Sequence, residues 1–409
     1  GEGEGEGEGE GGALDPVIDG DNCCRAHRTA LLLHAGLDSS DLRYAHFRSG
    51  FRETPYCVVI DRRWRTVVLS IRGTLSLEDC VVDVLLDPEP LDGLGRECGF
   101  DGDGQHCHGG VLDRSRWVHS DLKRHGILER LLLGPDAECP GYSLRIVGHS
   151  LGAAVASILS HMMRRTYPSV RCLCYSPPGG FLSWRLATEC RHFTTSFVLD
   201  SDLVPRLSVD SMEHLRDEVL DLIGRIKVPK ARIARDLMMA GGIRAIRGAL
   251  GCTKHPDAND AAAVARKNME LLRPPESDPP PEATDFARRL ERFRSVQDDL
   301  RRRRGDIARR SVRLYPPGRM IHLMKTGERT SCLRHGFIKC VSCGTSNAGY
   351  EYEPVRAEND DFGEIVISPT MATDHFPNRV CAEIEGVAAS FGIDTTLGSG
   401  SRDREWGGG

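Results

Sequence analysis

One short segment constrains this 409-residue chain more than any other: GHSLG at residues 148–152, which fits the pattern G-x-S-x-G. An apolar run at 144–147 leads into it and a run of small residues leads out. This order predicts a strand, a sharp turn and a helix at 151–163. The alternative is an ordinary glycine-flanked turn without chemistry. The context favours a strained turn that presents Ser150 as a nucleophile. The other residues of this predicted elbow are Gly148, His149 and Gly152.

Apolar and β-branched runs before and after this elbow predict further strands. They lie at residues 56–60, 66–71, 170–175, 194–199, 320–324 and 364–368. The first two are separated by a polar turn and predict a hairpin. Helices are expected at 25–37, 111–133 and 376–391, whereas 75–108 has the Gly- and Asp-rich composition of a loop. Strands that alternate with helices predict an α/β fold with a mostly parallel central sheet flanked by helices.

Composition divides the chain into segments. Residues 1–20 are rich in Gly and Glu, and we expect them and residues 396–409 to be disordered tails. A proline-rich, highly charged stretch interrupts the alternation. We therefore expect a catalytic domain at 21–206 and 315–395. The insertion between its two parts, residues 207–314, is expected to be helical and partly disordered, with a regulatory or membrane-contacting role.

A serine nucleophile needs a base and an orienting acid, in the chain order Ser, acid, His for this kind of fold. The acid should follow the strand at 194–199, where Asp200 and Asp202 are both candidates. Asp202 is favoured because an apolar pair follows it. The base should lie in a late loop, which favours His375. The competitor His322 lies within an apolar strand, where a core histidine is the expected role.

The oxyanion of an acyl-transfer intermediate needs two N–H donors. One is expected from Leu151, the residue after the nucleophile. The other should come from an earlier strand end, where Thr74 follows the strand at 66–71. A plain turn with a capping threonine is the alternative for Thr74. Leu151 and Thr74, together with Ser150, Asp202 and His375, complete the predicted site of an α/β-hydrolase fold.

Composition excludes some partners. A formal net charge of −5 argues against nucleic acid. No run of about 18 uncharged apolar residues is present, so no segment is predicted to span a bilayer. The sequence has no signal peptide, and its start without Met leaves an upstream membrane segment open. Its 15 cysteines lack a regular spacing, which favours free thiols in a reducing compartment over a disulfide scaffold.

Several segments carry other signals. Residues 224–251 mix basic and apolar side chains, which fits either a helix on an anionic membrane surface or a helix covering the core. DGDG at 101–104 is interpreted as a turn rather than a calcium loop. For a late Cys/His group, unliganded thiols are weighed above zinc, so no metal site is assigned. Its members are Cys332, His335, Cys340 and Cys343.

Six segments together resemble the class 3 lipases, and within them the sn-1-specific diacylglycerol lipases. They are LSIRGTLS, VGHSLGA, CYSPPGGFLS, SDLVPR, LYPPGRMIH and EIVISP followed by His375, and the similarity covers roughly residues 50 to 390. The resemblance implies hydrolysis of the sn-1 ester of diacylglycerol. It also implies a triad of Ser150, Asp202 and His375, with Thr74 at the oxyanion. The resemblance implies no required cofactor, allows stimulation by calcium, places a lid at residues 75–94 and adds S-acylation as an alternative for the late Cys/His group. Together with the free thiols, it predicts association with the cytoplasmic side of a membrane.

Two alternatives stay open. A phospholipase A1 or a galactolipase would use the same triad with a different headgroup pocket, which the sequence does not identify. A non-catalytic lipid-binding protein would be expected to lack a member of the triad, whereas all three residues are present here. Protein partners are not predicted.

Overall fold

The computed structural model describes residues 16–50, 53–73, 88–225, 312–328 and 350–393, together with Arg235 and Ser295. The chain divides into two compact units. The first comprises Gly1–Ser211 and Arg309–Gly409, and the second comprises Met212–Ala308. The first unit contains the sheets and all the candidate residues discussed below. In the second unit, the description is confined to residues 212–225, Arg235 and Ser295.

The elements up to the serine turn are β1 (Val17–Asp19), α1 (Ala26–Ala35), β2 (Leu42–His46), β3 (Tyr56–Asp61), β4 (Thr66–Ile71), β5 (Pro88–Pro90), α2 (Asp92–Cys98), β6 (His106–His108), α3 (Gly109–His125), α4 (Ile127–Leu132) and β7 (Ser143–His149). After it follow α5 (Leu151–Met163), β8 (Arg171–Tyr175), β9 (Leu182–Ser183), α6 (Trp184–Glu189), β10 (Thr194–Leu199), α7 (Val209–Arg225), β11 (Leu314–Tyr315), β12 (Arg319–Glu328), β13 (Tyr350–Ala357) and α8 (Pro377–Ser390).

Nine of these strands form the central sheet, in the order β1-β2-β3-β4-β7-β8-β10-β12-β13. Neighbouring strands from β4 through β12 are parallel. At one side β2, β3 and β4 are antiparallel, and at the other β13 runs antiparallel to β12. The predicted hairpin is therefore present as β3 and β4. A mostly parallel sheet with crossover helices confirms the predicted α/β-hydrolase fold.

The helix after the serine is the centre of the core. Every residue of α5 is buried, because it contacts the sheet on one side and α3 on another. Its first turns are made of small residues, including Ala153, Ala154 and Ala156, so its backbone approaches the sheet closely. The thiol of Cys174 in β8 reaches the carbonyl oxygen of Ala153 at 3.3 Å. A larger residue in this part of α5 would push the helix away from β7 and β8.

A second, antiparallel sheet has the order β11-β9-β6-β5. Two of its strands, β5 and β6, lie in the segment 75–108 that we expected to be a loop throughout. The helix α2 lies there as well, so that expectation was wrong for its later part. The predicted lid at 75–94 falls mainly on residues 74–87, which lie outside the described residues.

Two other predictions were wrong in detail. Residues 364–368 form no strand, although their sequence is apolar; Ile367 is 67% exposed and the segment follows β13 as a loop. The helix expected at 111–133 is two helices, α3 and α4. Gly126 separates them with φ 58°, a left-handed conformation that glycine adopts without the cost other residues pay.

Candidate active site

The turn between β7 and α5 places Ser150 in an unusual backbone conformation. Its φ is 56° and its ψ is −128°, and its amide donates to the carbonyl oxygen of Tyr175 at 2.9 Å. A Cβ added to Gly148 would lie 2.2 Å from the carbonyl oxygen of Gly152. One added to Gly152 would lie 2.4 Å from that of Ile71. Only glycines fit at these two positions, so the G-x-S-x-G pattern is a steric requirement of the strained turn.

Asp202 lies in the turn that follows β10 and is fully buried. Its amide donates to the carbonyl oxygen of Leu199 at 2.8 Å, and its Oδ1 accepts the amide of Val204 at 3.0 Å. The apolar residues after the aspartate hold this turn under the end of the sheet. The carboxylate therefore has a fixed position in a site from which water is excluded.

His375 ends a short 3-10 turn, Thr373–His375, that directly precedes α8. Its Nδ1 donates to Asp202 Oδ1 at 3.0 Å and lies 3.3 Å from Oδ2. The two residues are 173 positions apart in the sequence. Because Nδ1 carries the proton, the neutral ring has its lone pair on Nε2, as a general base requires. The structure thus brings the predicted acid and the predicted base together.

The turns that carry Asp202 and His375 are also joined by their neighbours. The amide of Leu203 donates to the carbonyl oxygen of Met371 at 3.1 Å, and the amide of Ser201 donates to Asp374 Oδ2 at 3.3 Å. Asp374 is fully buried, and burial raises the pKa of its carboxyl group. Each contact ties a residue beside the acid to the loop that ends in the base.

The competing acid and base contact each other instead. Nε2 of His322 donates to the carbonyl oxygen of Asp200 at 2.8 Å. The amide of Asp200 donates to the carbonyl oxygen of Leu323 at 2.9 Å. The ring of His322 packs edge-on against Phe362, and burial lowers its pKa. This pair connects β10 to β12 and has a structural role in the sheet.

Of the two predicted oxyanion donors, only Leu151 lies within the described residues. Leu151 is the first residue of α5, where an amide has no partner within the helix. Thr74 lies outside the described residues. The residue before it, Gly73, is described and lies against the serine turn: an added Cβ would be 2.5 Å from the carbonyl oxygen of His149 and 3.2 Å from Ser150 Cβ. Our sequence reasoning gave Gly73 no role, although a glycine in the turn after a strand is a signal for close backbone approach.

His149, the residue before the serine, contacts the loop of the predicted base. Its Nε2 donates to the carbonyl oxygen of His375 at 2.7 Å, and the centres of the two rings are 4.6 Å apart. Burial, and then the nearby charge of His375, lower the pKa of His149 to about 4. His149 is therefore neutral at neutral pH. Our sequence reasoning gave it only a place in the elbow.

The other predicted features are described only partly. Within the part of the chain that the structure describes, no three His, Cys, Asp or Glu side chains are grouped so as to hold a metal ion. Among the same residues, no helix is long and apolar enough to cross a bilayer. The group Cys332, His335, Cys340 and Cys343 lies outside the described residues, as does almost all of the basic segment 224–251.

Comparison with known proteins gives a consistent result. The family model "Lipase (class 3)" matches residues 68–212, which include Ser150 and Asp202. Mouse diacylglycerol lipase-beta is 30% identical over 387 residues, which cover 90% of this chain and 52% of that protein. Human diacylglycerol lipase-alpha is 30% identical over 381 residues, covering 91% of this chain and 31% of that protein.

A fungal relative matches a shorter region. The secreted mono- and diacylglycerol lipase A of Penicillium cyclopium is 30% identical over 174 residues, which cover 41% of this chain and 51% of that protein. The chain thus spans about half the length, or less, of these curated relatives. Its fold, its serine turn and these matches lead to one assignment. The chain is similar to the class 3 lipase family over residues 68–212, and the relatives that align with nine tenths of it are named diacylglycerol lipases.

Proposed function

We propose that the protein is a serine lipase that hydrolyses the sn-1 ester of diacylglycerol to a monoacylglycerol and a free fatty acid. The observation that supports this most is the hydrogen bond of 3.0 Å between His375 Nδ1 and Asp202 Oδ1. His375 is also hydrogen-bonded, through its backbone carbonyl oxygen, to His149, the residue directly before Ser150. A buried acid, an oriented imidazole and a serine on a strained turn are what acyl transfer requires.

The proposed reaction has two halves. Ser150 Oγ attacks the ester carbonyl carbon while His375 Nε2 takes the hydroxyl proton, and the buried Asp202 stabilises the resulting imidazolium. The tetrahedral intermediate collapses when His375 returns that proton to the departing glycerol oxygen, which leaves an acyl-enzyme on Ser150. Water then attacks the acyl carbonyl with His375 again as the base. Release of the fatty acid restores the free serine.

Charge develops on the carbonyl oxygen in both halves. We assign its stabilisation to the amide of Leu151, at the N-terminus of α5, and to Thr74, which follows the strand β4. Preorganised donors of this kind commonly account for about 10²- to 10³-fold in rate each. The steps as written use no cofactor. Stimulation by calcium stays a prediction, which hydrolysis assays with added calcium or with EGTA would check.

The substrate rests on relatives rather than on a described pocket. Proteins with 30% identity over 90% of this chain are named diacylglycerol lipases, and the sn-1 position comes from the resemblance of the sequence motifs. Phospholipase A1 and galactolipase activity use the same catalytic chemistry and are the competing functions. We further propose that the protein meets its lipid at a membrane surface on the cytoplasmic side.

The test begins with the nucleophile. A fluorophosphonate probe should label the parent protein and should fail to label Ser150→Ala or His375→Ala. Ser160→Ala is a matched control, because Ser160 is also buried in α5 but donates to the carbonyl oxygen of Ala156 within the helix. It should label like the parent.

The substrate is tested with vesicles containing diacylglycerol that carries different labels at sn-1 and sn-2. Release of the sn-1 label by the parent and not by Ser150→Ala supports the proposal. Labelling by the probe without hydrolysis of diacylglycerol, but with hydrolysis of phospholipid or galactolipid, would replace the substrate and keep the chemistry. A folded parent that is not labelled in the presence of lipid would favour the non-catalytic lipid-binding alternative.

A further inference from the structure

His149 makes two contacts with His375 that differ in kind. One is the hydrogen bond of 2.7 Å from His149 Nε2 to the backbone carbonyl oxygen of His375. The other is the packing of the two rings, whose centres are 4.6 Å apart with their planes inclined by 43°. The first contact holds the backbone of His375, and the second lies against its ring. The residues are 226 positions apart, so neither contact follows from local structure.

The hydrogen bond from His149 to the His375 carbonyl oxygen acts on the short turn that carries the proposed base. His375 ends its 3-10 turn, and the next residue, Phe376, is the N-cap of α8 and is 48% exposed. The side chain of His375 bonds Asp202, but its position also depends on where its backbone lies. The imidazole of His149 comes from the last residue of β7, directly before Ser150. It therefore connects the serine turn directly to the turn Thr373–His375, which we call the base loop.

The charge state of His149 suits this task. Its Nε2 donates, so the neutral ring carries no proton on Nδ1, and burial favours the neutral form. A neutral ring packs against His375 without opposing the imidazolium that forms during acyl transfer. A lysine or arginine at position 149 would also donate a hydrogen bond, but its permanent charge would destabilise that imidazolium.

We infer that His149 is a positioning residue for the catalytic base: its Nε2–H, bonded to the His375 carbonyl, holds the imidazole of His375 in register with Ser150. The inference rests on the proposed function, because it assigns His375 as the base. In this role, His149 contacts neither the proton that is transferred from Ser150 to His375 nor the ester. Its effect should appear in the rate of acylation rather than in substrate binding.

Two variants separate the donor from the ring. The Nε2 atom of glutamine is the same number of bonds from Cβ as the Nε2 atom of histidine. His149→Gln therefore retains a donor without the aromatic ring, whereas His149→Phe retains an aromatic ring without the donor. We would measure the rate of inactivation by a fluorophosphonate, together with kcat and KM for a soluble short-chain ester. Both are measured well below the thermal midpoint of each variant, so that all of the protein is folded.

The expected result is a split between the variants. His149→Phe should lower kcat and the inactivation rate about tenfold to a hundredfold, the loss that misplacement of a catalytic group produces, with KM within about twofold. His149→Gln should stay within about threefold of the parent. Activity of His149→Phe equal to that of the parent, or equal losses in both variants, would overturn the inference.

A spectroscopic measurement keeps this test separate from the proposed function. The Nδ1 proton that His375 shares with Asp202 should give a low-field proton resonance, assigned by its loss in His375→Ala. It should persist in His149→Gln and broaden or vanish in His149→Phe, in free protein without substrate. An unchanged resonance in His149→Phe counts against the inference even in an active enzyme. A parent that shows the resonance but is not labelled by the probe counts against the proposed function instead.

Discussion

Asp374 and Arg379 form an ion pair in which Oδ1 and Nε are 3.1 Å apart. Asp374 is fully buried and directly precedes His375, whereas the side chain of Arg379 is 28% exposed in α8. Arg379 also donates to the hydroxyl of Tyr352 in β13 at 3.0 Å. The pair therefore connects the base loop to an edge strand and to the last helix.

Replacing Arg379 with methionine should leave the buried carboxylate of Asp374 without its counter-charge. We expect the free energy of unfolding to fall by about 3 kcal/mol, near the lower end for a broken buried pair because the arginine is partly exposed. Urea unfolding at pH 7 measures it. Arg185→Met is the control, since it breaks an exposed ion pair with Asp101 and should cost at most about 1 kcal/mol. Equal losses in the two variants would contradict this account.

Asp202→Asn should leave the fold intact and reduce kcat by about 10⁴-fold, because an amide in place of the carboxylate favours the wrong tautomer of His375. Asp200→Asn tests the competing acid. Its side-chain oxygens accept from the amide of Lys325 and the hydroxyl of Ser201, contacts that an asparagine oxygen retains in part. That variant should keep activity within about tenfold of the parent. A reversed order of the two losses would make Asp200 the acid.

Gly73→Ala should damage the site through the backbone. The new methyl group would lie 2.5 Å from the carbonyl oxygen of His149 and 3.2 Å from Ser150 Cβ, so the serine turn or the end of β4 must move. We expect at least a tenfold loss of kcat and a cost of about 1 to 3 kcal/mol in stability. Gly93→Ala is a matched control in α2, where an added Cβ meets nothing within 4 Å. It should be as active as the parent and slightly more stable.

Stability should fall in mild acid. Burial lowers the pKa of His161, in α5, to about 4, as it does for His149. Between about pH 6.5 and pH 4 the unfolded chain binds protons at these two positions while the folded protein does not. The free energy of unfolding should therefore decrease as pH falls through this window, by about 1.4 kcal/mol per pH unit for each histidine.

His161→Gln tests that contribution, because glutamine has no charged form there. Urea unfolding at pH 7 and pH 5 should show a smaller difference for this variant than for the parent. Nδ1 of His161 donates to the carbonyl oxygen of Ser157 at 2.9 Å, so some loss of stability at both pH values is expected from the altered hydrogen bond. An unchanged difference between the two pH values would mean that His161 binds its proton over the same pH range in the folded protein as in the unfolded chain, which would contradict the lowered pKa.

The sequence predicted the parts of the fold that local patterns encode. The strand, turn and helix around Ser150, the hairpin of β3 and β4, and the α/β class follow from alternation, glycine spacing and small residues. The edge strand β13 was missed because its sequence, YEYEPVRA, is charged and contains Pro354. An edge strand tolerates proline because part of its backbone has no partner to bond. Residues 364–368 show the opposite error, since an apolar run does not form a strand without a neighbour to pair with.

The candidate site was predictable only where chain order carries information. Asp202 and His375 were chosen as residues that follow a strand and precede a helix, and the structure brings them into contact. The roles of Gly73, Asp374 and His149 depend on contacts between distant segments. No spacing in the sequence encodes a bond between His149 and a carbonyl 226 residues away.

The pairing of β10 with β12 has a consequence for how this chain can vary. These strands are hydrogen-bonded neighbours from Thr195 and Arg319 to Leu199 and Leu323, although more than a hundred residues separate them in the sequence. The entropy of closing a loop grows only with the logarithm of its length, so that doubling it costs about 0.6 kcal/mol. Changes in the length of the chain between α7 and β11 therefore have a small thermodynamic cost. That length can vary in evolution while the parallel ladder keeps β10 and β12, and the turn of Asp202 after β10, in place.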